Sequence, residues 1–260
     1  MAALTPEFDS SPALEAVPGI RHGFFTRRGG TSGGPFESLN CSPNAGDSPE
    51  SVRENRMRVV RALGGDCLVT NRQVHGRRVR LVGRYTDAAA LEEADGLVTT
   101  DPGVCIGALG ADCAPVLFAA PGVVGVAHVG WKGALAGVTD AVIESMEAFT
   151  DRCRIAAAVG PAIQPMSYEV GGDFRDQLLE MSPVDAEDCF LSHPDTRRVH
   201  FDLPAYIERR LRHAGILQLD RNVSDTYVDE KRFFSYRRSC HRGTPEYGRQ
   251  PGVICLSREG

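Results

Sequence analysis

The sequence predicts one domain that mixes β-strands with helices, and three observations carry that expectation. Short apolar runs of strand length recur from Ile20 to Leu256, bounded by Gly, Pro and Asp-Gly turns. Between them stand segments of helical period with start and stop signals. No internal repeat or low-complexity linker divides the 260 residues, a length that can bury a sizeable core.

Taken in order, residues 1–18 read as a loose arm, and residues 19–260 as the single domain. Ile20–Thr26 reads as a strand, followed by a glycine-rich loop from Arg27 to Pro35 that carries two arginines. Such a loop can cradle an anion with its backbone N–H groups, although it matches no phosphate-loop pattern. Ser48-Pro49 starts a helix that Gly64-Gly65 ends, with Val52, Val59, Val60 and Leu63 on one face. Strands follow at Cys67–Thr70, Val79–Val82, Leu97–Thr99 and Val104–Leu109, and His75 sits in the connection between the first two.

The stretch Gly107–Gly133 is the centre of the pattern. Val116–Ala119 and Val123–Ala127 flank Pro121-Gly122, so they read as a β-hairpin. Cys113 stands just before the first run and His128 just after the second, so the hairpin brings a thiol and an imidazole to one strand mouth. Leu135, Val138, Val142, Met146 and Phe149 then recur at helical spacing. The N-terminus of that helix, beside Lys132, would suit an anionic group such as phosphate. A surface lysine at a helix start is the plain alternative. Ile155–Val159 reads as a buried strand, Ser167–Val170 as extended chain, and Asp173 as the cap of a helix over Phe174–Met181. Met181–His200 reads as irregular, Asp202-Leu203-Pro204 as a helix start running to Ala214, and Phe233–Arg238 as an arginine-rich loop before a strand at Val253–Leu256.

Composition narrows the function classes. Hydrophobic content of 42% and charged content of 24% are those of an ordinary soluble protein. A net charge of -5 argues against a nucleic-acid partner, which calls for a basic surface. No run approaches a membrane span, and the N-terminus lacks the basic and apolar regions of a secretory signal. The eight cysteines include no C-x-x-C pair, which fits a reduced, cytoplasmic protein.

Three candidate metal ligands stand out: His75, Cys113 and His128, each at a strand end beside glycine or proline. Their separations match no local zinc motif, so context rather than spacing recommends them. Three protein ligands with one open position is the arrangement of catalytic zinc, and the open position would hold a water whose pKa falls toward ~7. A cysteine with a nearby histidine also serves nucleophilic catalysis, and a buried structural cysteine is the bland alternative. Asp95 and Asp112 are the carboxylates close enough in sequence to shuttle a proton, and each could equally be a turn residue. His22, His193, His200, His213 and His241 have no comparable neighbourhood.

The chain resembles the laccase-domain family, also described as multicopper polyphenol oxidases or the YfiH-type family. The motifs that carry the resemblance run from Phe24 to Arg249: Thr26-Arg27-Arg28-Gly29-Gly30, Ser38-Leu39-Asn40, Gln73-Val74-His75-Gly76, Ala94-Asp95-Gly96, Ala111-Asp112-Cys113-Ala114-Pro115, His128-Val129-Gly130-Trp131-Lys132-Gly133, Gly160-Pro161-Ala162-Ile163 and Phe233-Phe234-Ser235-Tyr236-Arg237-Arg238. The resemblance implies an α+β fold, with mixed β-sheets forming a sandwich flanked by helices, like a group of cysteine hydrolases. It implies that His75, Cys113 and His128 bind zinc. It also implies a purine nucleoside and phosphate as the small-molecule partners: phosphorolysis of adenosine, inosine and methylthioadenosine, and deamination of adenosine. Arg27, Asn40, Lys132, Arg237 and Arg238 are then the candidates for holding phosphate and substrate. Bacterial relatives described as peptidoglycan editing factors imply an alternative, an amidase on a muramyl precursor with Cys113 as nucleophile. Copper, which the family's name suggests, is disfavoured, because seven histidines with no His-Cys-His element are poor material for a multicopper cluster. A non-enzymatic, zinc-stabilised binding protein is a further alternative. Three departures from the family pattern are visible: Lys132 for arginine, Gln164 after the Gly-Pro-Ala-Ile motif, and Asp225 for a cysteine before Thr226.

Overall fold

A computed structural model describes residues 5–258. Its strands are β1 (Phe8–Asp9), β2 (Ile20–Phe25), β3 (Cys67–Val69), β4 (Val79–Leu81), β5 (Gly96–Thr99), β6 (Val104–Gly110), β7 (Ala114–Ala120), β8 (Val123–Val129), β9 (Ala156–Val159), β10 (Phe190–Ser192), β11 (Val199–Phe201), β12 (Gln218–Arg221) and β13 (Gln250–Leu256). Its helices are α1 (Pro12–Glu15), α2 (Pro49–Leu63), α3 (Trp131–Ala136), α4 (Val138–Met146), α5 (Gly172–Met181), α6 (Leu203–His213) and α7 (Tyr236–Arg242).

The expected hairpin is the spine. β7 and β8 pair antiparallel along their whole length, from Ala114 opposite Val129 to Ala120 opposite Val123. They lie inside a six-stranded sheet of order β12-β9-β7-β8-β5-β4, and β1-β2-β13-β6-β3 form a second, five-stranded sheet. Both sheets are mixed, since β12–β9, β4–β5 and β3–β6 pair parallel and the remaining neighbours antiparallel. The two sheets face one another across Leu117, Val124, Val126, Ile106, Ile254 and Phe24, all buried. Each such side chain contributes about 1.5–3 kcal/mol on burial. The opposite face of the hairpin, Val116, Phe118, Ala127 and Val129, packs under Val142, Ile143, Ile207 and Leu211 from α4 and α6. α2 covers the outer face of the five-stranded sheet through Val59, Val60 and Leu63. With both faces covered, the strands read as continuous apolar runs rather than as alternating ones. This is the α+β sandwich flanked by helices that the resemblance implied.

Local signals explain several boundaries. Ser48 caps α2 by accepting a hydrogen bond from the Ser51 amide, Pro49 occupies the first turn, and Gly64 closes the helix at φ 67°. Asp202 caps α6 by accepting from the Ala205 amide at 2.8 Å.

Other expectations are corrected. The segment expected to be loose is packed from residue 5 onward: β1 pairs with β2, and Leu14 is fully buried. Asp220 accepts hydrogen bonds from Ser11 Oγ and the Ala13 amide, both at 2.7 Å. Residues 1–4 of that segment lie outside the described residues. The single helix expected to run to Phe149 is two helices, because Gly137 adopts φ 85° between α3 and α4. Buried Arg210 makes the break tolerable: it donates to the carbonyls of Ala134 and Leu135 and pairs with Asp140. Asp173 lies in the first turn of α5, not at its cap, which is Gly171. Ser167 ends a 3-10 turn over Pro165–Ser167, and the extended chain expected after it bridges antiparallel from Glu169 to His200. The stretch expected to be irregular before His200 holds the β10–β11 hairpin. The arginine-rich loop turns into α7, where Ser235 caps by accepting from the Arg238 amide.

Candidate metal centre and cleft

The hairpin sets two of the three expected ligands. Cys113 precedes β7, and His128 lies opposite Pro115 near the end of β8. His75 reaches them from the loop before β4. Gln73 pins that loop to the end of β6: its Nε2 donates to the Leu109 carbonyl at 2.7 Å, and its Oε1 accepts from the Leu109 amide at 2.8 Å. His75 itself sits at φ 60°, a left-handed conformation uncommon outside glycine and recurrent at functional sites. The donor atoms of His75, Cys113 and His128 all lie within 4.8 Å of one another. Their two imidazole rings meet at 64° with centroids 4.8 Å apart, so both face one point.

Asp95 organises this arrangement from behind. Its Oδ1 bonds His128 Nδ1 at 2.9 Å and accepts from the His75 amide at 3.0 Å. Its Oδ2 accepts from the Val74 and Gly76 amides at 3.1 and 2.8 Å. With Nδ1–H of His128 engaged, Nε2 carries the lone pair a metal needs. Burial pushes the Asp95 carboxyl up, but the bonds from His128 and the loop amides outweigh it and hold the group below its ordinary value. Burial alone would lower His128, yet Cys113 and Asp95 together push it up to about 9. Burial and neighbouring His128 hold His75 below its ordinary value. The pocket thus stabilises a positive charge on His128, and a cation at the same point answers the same field.

The donors fit a first-row metal ion: two imidazoles and a thiol at the mutual distances one ion can bridge, with a carboxylate orienting a ligating histidine. Gly130 leaves room for it. A Cβ there would stand 2.9 Å from both Cys113 Sγ and His75 Nδ1, although the backbone, at φ -86°, would accept any residue. Gly130→Ala is therefore expected to weaken metal binding by about 10–100-fold, matching an overpacking cost of about 1–3 kcal/mol. Titration of the purified variant against a chelating indicator checks this, and unchanged affinity would refute the steric account.

His75, Cys113, His128, Asp112, Lys132 and Arg237 all line one cleft of about 720 Å³. Asp95 lies behind its wall with its side chain fully buried. Asp112, at φ 93°, has both oxygens occupied, accepting from Thr226 Oγ1 at 2.7 Å and from the Arg237 amide at 2.6 Å. Burial pushes it above the usual carboxylate range against those bonds. It ties the start of α7 to the Cys113 turn. Lys132 sits over the Trp131 ring at 5.5 Å, and Arg237 over the Tyr168 ring at 5.1 Å.

Three expected binding residues stand outside the cleft. Arg27 stacks on Phe234 and donates to the carbonyls of Glu37 and Glu230. Arg238 is spent on the carbonyls of Thr226, Tyr227 and Phe233. Asn40 is fully buried, and its Oδ1 accepts from the amides of Ser42 and Arg249. Sequence reasoning missed Arg249, Ser42 and Gln73, which do line the cleft. Only the motif membership of Gln73 pointed toward it. Tyr168 and Tyr247 are also in the wall. Of the departures from the family pattern, Asp225 accepts from Ser167 Oγ and Gln164 donates to the Ala162 and Ser224 carbonyls, while Thr226 beside Asp225 supports Asp112.

A family model described as multi-copper polyphenol oxidoreductase laccase matches residues 21–257. The chain belongs to this laccase-domain family. Among similar proteins, Deinococcus radiodurans purine nucleoside phosphorylase is 39% identical over 252 residues, covering 94% of this chain and 90% of that protein. Escherichia coli purine nucleoside phosphorylase YfiH is 37% identical over 218 residues, covering 82% and 86%. The solved structure of YlmD from Geobacillus stearothermophilus superposes with a TM-score of 0.86 at 30% identity, covering 99% of this chain and 98% of that one. That of the Bacillus licheniformis hypothetical protein YfiH gives 0.83 at 31% identity, covering 92% and 93%. The laccase-domain label speaks of several coppers, whereas one His and Cys cluster of ligating geometry occurs among the described residues.

Proposed function

We propose that this protein is a zinc-dependent purine nucleoside phosphorylase that splits adenosine, inosine and methylthioadenosine with phosphate and also deaminates adenosine. The observation that carries the proposal is the convergence of His75, Cys113 and His128 in one cleft that aromatic rings and unneutralised cations also line. The names of the relatives support the same substrate class. Two imidazoles and a thiolate are a zinc donor set, and among the described residues no methionine lines the cleft to complete a blue-copper site.

Zinc, which His75, Cys113 and His128 would hold, would supply Lewis-acid chemistry and activation of water when bound. The chain's own groups do the rest. Tyr168, Tyr236, Tyr247 and Trp131 offer ring faces for a purine, and Lys132 and Arg237 offer positive charge for phosphate. In phosphorolysis a phosphate oxygen bonds C1′ of the ribose as the C1′–N9 bond breaks, and its electron pair leaves with the base. Holding phosphate and nucleoside in one cleft converts that encounter into an intramolecular one. With both its oxygens bonded to the fold, Asp112 positions the Cys113 turn rather than moving a proton.

The test is metal analysis of the purified protein together with product analysis from adenosine, with and without phosphate. Near-stoichiometric zinc, adenine and ribose 1-phosphate only when phosphate is present, and inosine in either case are the expected results. Metal-free protein without nucleoside turnover would overturn the proposal and favour Cys113, beside the positively charged His128, as a nucleophile on cell-wall amides.

A further inference from the structure

Most arginines near the surface of this chain are paired with carboxylates, from Arg28 with Glu7 to Arg258 with Asp66. Three cleft cations break that habit. Lys132, Arg237 and Arg249 each lie over an aromatic ring of the same cleft, Trp131, Tyr168 and Tyr247, and among the described residues none has a carboxylate within ion-pair distance. In a protein of net charge -5, a cleft with this balance is built for an anion.

Arg249 is the best prepared of the three. Its Nη1 donates to Ser42 Oγ at 2.9 Å, its Nη2 donates to the Tyr247 hydroxyl at 3.1 Å, and its Cζ stands 4.9 Å from the Tyr247 ring centroid. Asn40 fixes the backbone beneath it, because one buried amide oxygen accepts from the amides of both Arg249 and Ser42. The Cys41 amide donates back to the Arg249 carbonyl at 3.1 Å. A guanidinium carries five N–H groups in a rigid fork, so three remain after Ser42 and Tyr247 are served. Lys132 is a flexible point charge, and Arg237 spends one donor on the Glu169 carbonyl. Arg249 and Lys132 line the same cleft as His75, Cys113 and His128.

The geometry points to Arg249, oriented by Ser42 and Tyr247 and assisted by Lys132, as the subsite for the inorganic phosphate co-substrate. This rests on the phosphorylase reading for its purpose, though not for its binding chemistry. Bidentate guanidinium–phosphate pairing would hold the anion in the cleft that His75, Cys113 and His128 also line. Deamination consumes water instead of phosphate, so Arg249 serves one reaction and not the other.

The test uses the whole metal-loaded protein. Phosphate is titrated into wild type, Arg249→Gln, Arg249→Lys, Ser42→Ala and, as a control, Arg72→Gln, whose arginine lines the cleft but is paired with Glu93. Binding is read by calorimetry and by fluorescence of Trp131, the only tryptophan, in the cleft wall. The expected result is phosphate affinity weaker by at least about tenfold in Arg249→Gln, partly kept in Arg249→Lys, modestly reduced in Ser42→Ala and unchanged in Arg72→Gln. In Arg249→Gln, phosphate affinity falls further than adenosine affinity, and deamination, which takes no phosphate, falls less than phosphorolysis. Unchanged phosphate affinity in a folded Arg249→Gln overturns the assignment. Adenosine 5′-monophosphate binding more tightly than phosphate and adenosine combined, with Arg249 responsible, also overturns it by giving the subsite to a nucleotide's own phosphate. Wild type that binds phosphate through Arg249 but turns over no nucleoside leaves the subsite standing and removes the phosphorylase reading alone.

Discussion

Cys113→Ala is expected to strip the metal from the purified protein and to lower nucleoside turnover by about 10³-fold or more. The thiolate is the one anionic donor among the three ligands, and the two imidazoles that remain are neutral when they ligate. A Lewis-acid metal contributes several kcal/mol to a transition state, and each 1.36 kcal/mol is a factor of about ten. The loss should be specific. Cys113 is only partly buried, so removing one sulfur costs about 1 kcal/mol of stability, and the chelator-treated variant should melt close to chelator-treated wild type. Metal analysis, turnover and thermal unfolding together check this. A variant that retains full metal would show that the thiol lies outside the coordination sphere. One that loses activity while keeping its metal would point to nucleophilic catalysis.

The meeting of Cys113 and His128 was legible in the sequence because a tight hairpin reports local geometry. Pro121-Gly122 between two apolar runs dictates that Cys113 and His128 meet, and no distant part of the chain is needed to say so. Capped helices were legible for the same reason, as at Ser48 and Asp202, where the signal and its consequence lie three residues apart. What failed was whatever depends on distant partners. Pro12–Glu15 looked like loose chain because its anchor, Asp220, is more than two hundred residues away. Gly137 looked tolerable inside a helix because nothing in sequence announces that Arg210 will satisfy the carbonyls it exposes. Counting cations misled in both directions. Arg27 and Arg238 sit in motif positions but are consumed by backbone carbonyls, whereas Arg249 carries no local signal and is aimed into the cleft by Asn40 and Ser42. Residue type shows what a side chain can do. Its availability for a ligand is decided by the neighbours that claim its hydrogen bonds first.

Asp95→Asn is expected to weaken metal binding by about 10–100-fold and to lower turnover in proportion, although Asp95 touches neither metal nor substrate. The carboxylate receives four contacts, two on each oxygen. An amide of the same shape must turn its NH₂ toward one of those pairs. Facing Val74 and Gly76, it sets a donor against two donors and loosens the His75 loop. Facing His128, it can be satisfied only if Nδ1 becomes the acceptor, which moves the ring proton to Nε2 and removes the lone pair from the ligand position. Either way a ligand is lost or displaced, and a buried unpaired donor costs about 1–3 kcal/mol of stability. The pH dependence separates this role from proton transfer. Because the folded-state pKa of Asp95 lies below its ordinary value, its contribution is complete above pH ~4 and is lost only as pH falls through the lower, folded value. Metal release from wild type between pH 7 and pH 5 therefore reports protonation of the ligands themselves. The variant should release metal at higher pH, because its histidines are no longer held in the ligating form. Chelator competition across that range, alongside turnover at saturating zinc, separates the two roles. If saturating zinc restores most of the activity, Asp95 is a positioning residue. If the variant is fully metallated and still inactive, Asp95 moves a proton in the reaction, as a carboxylate read from sequence alone would suggest.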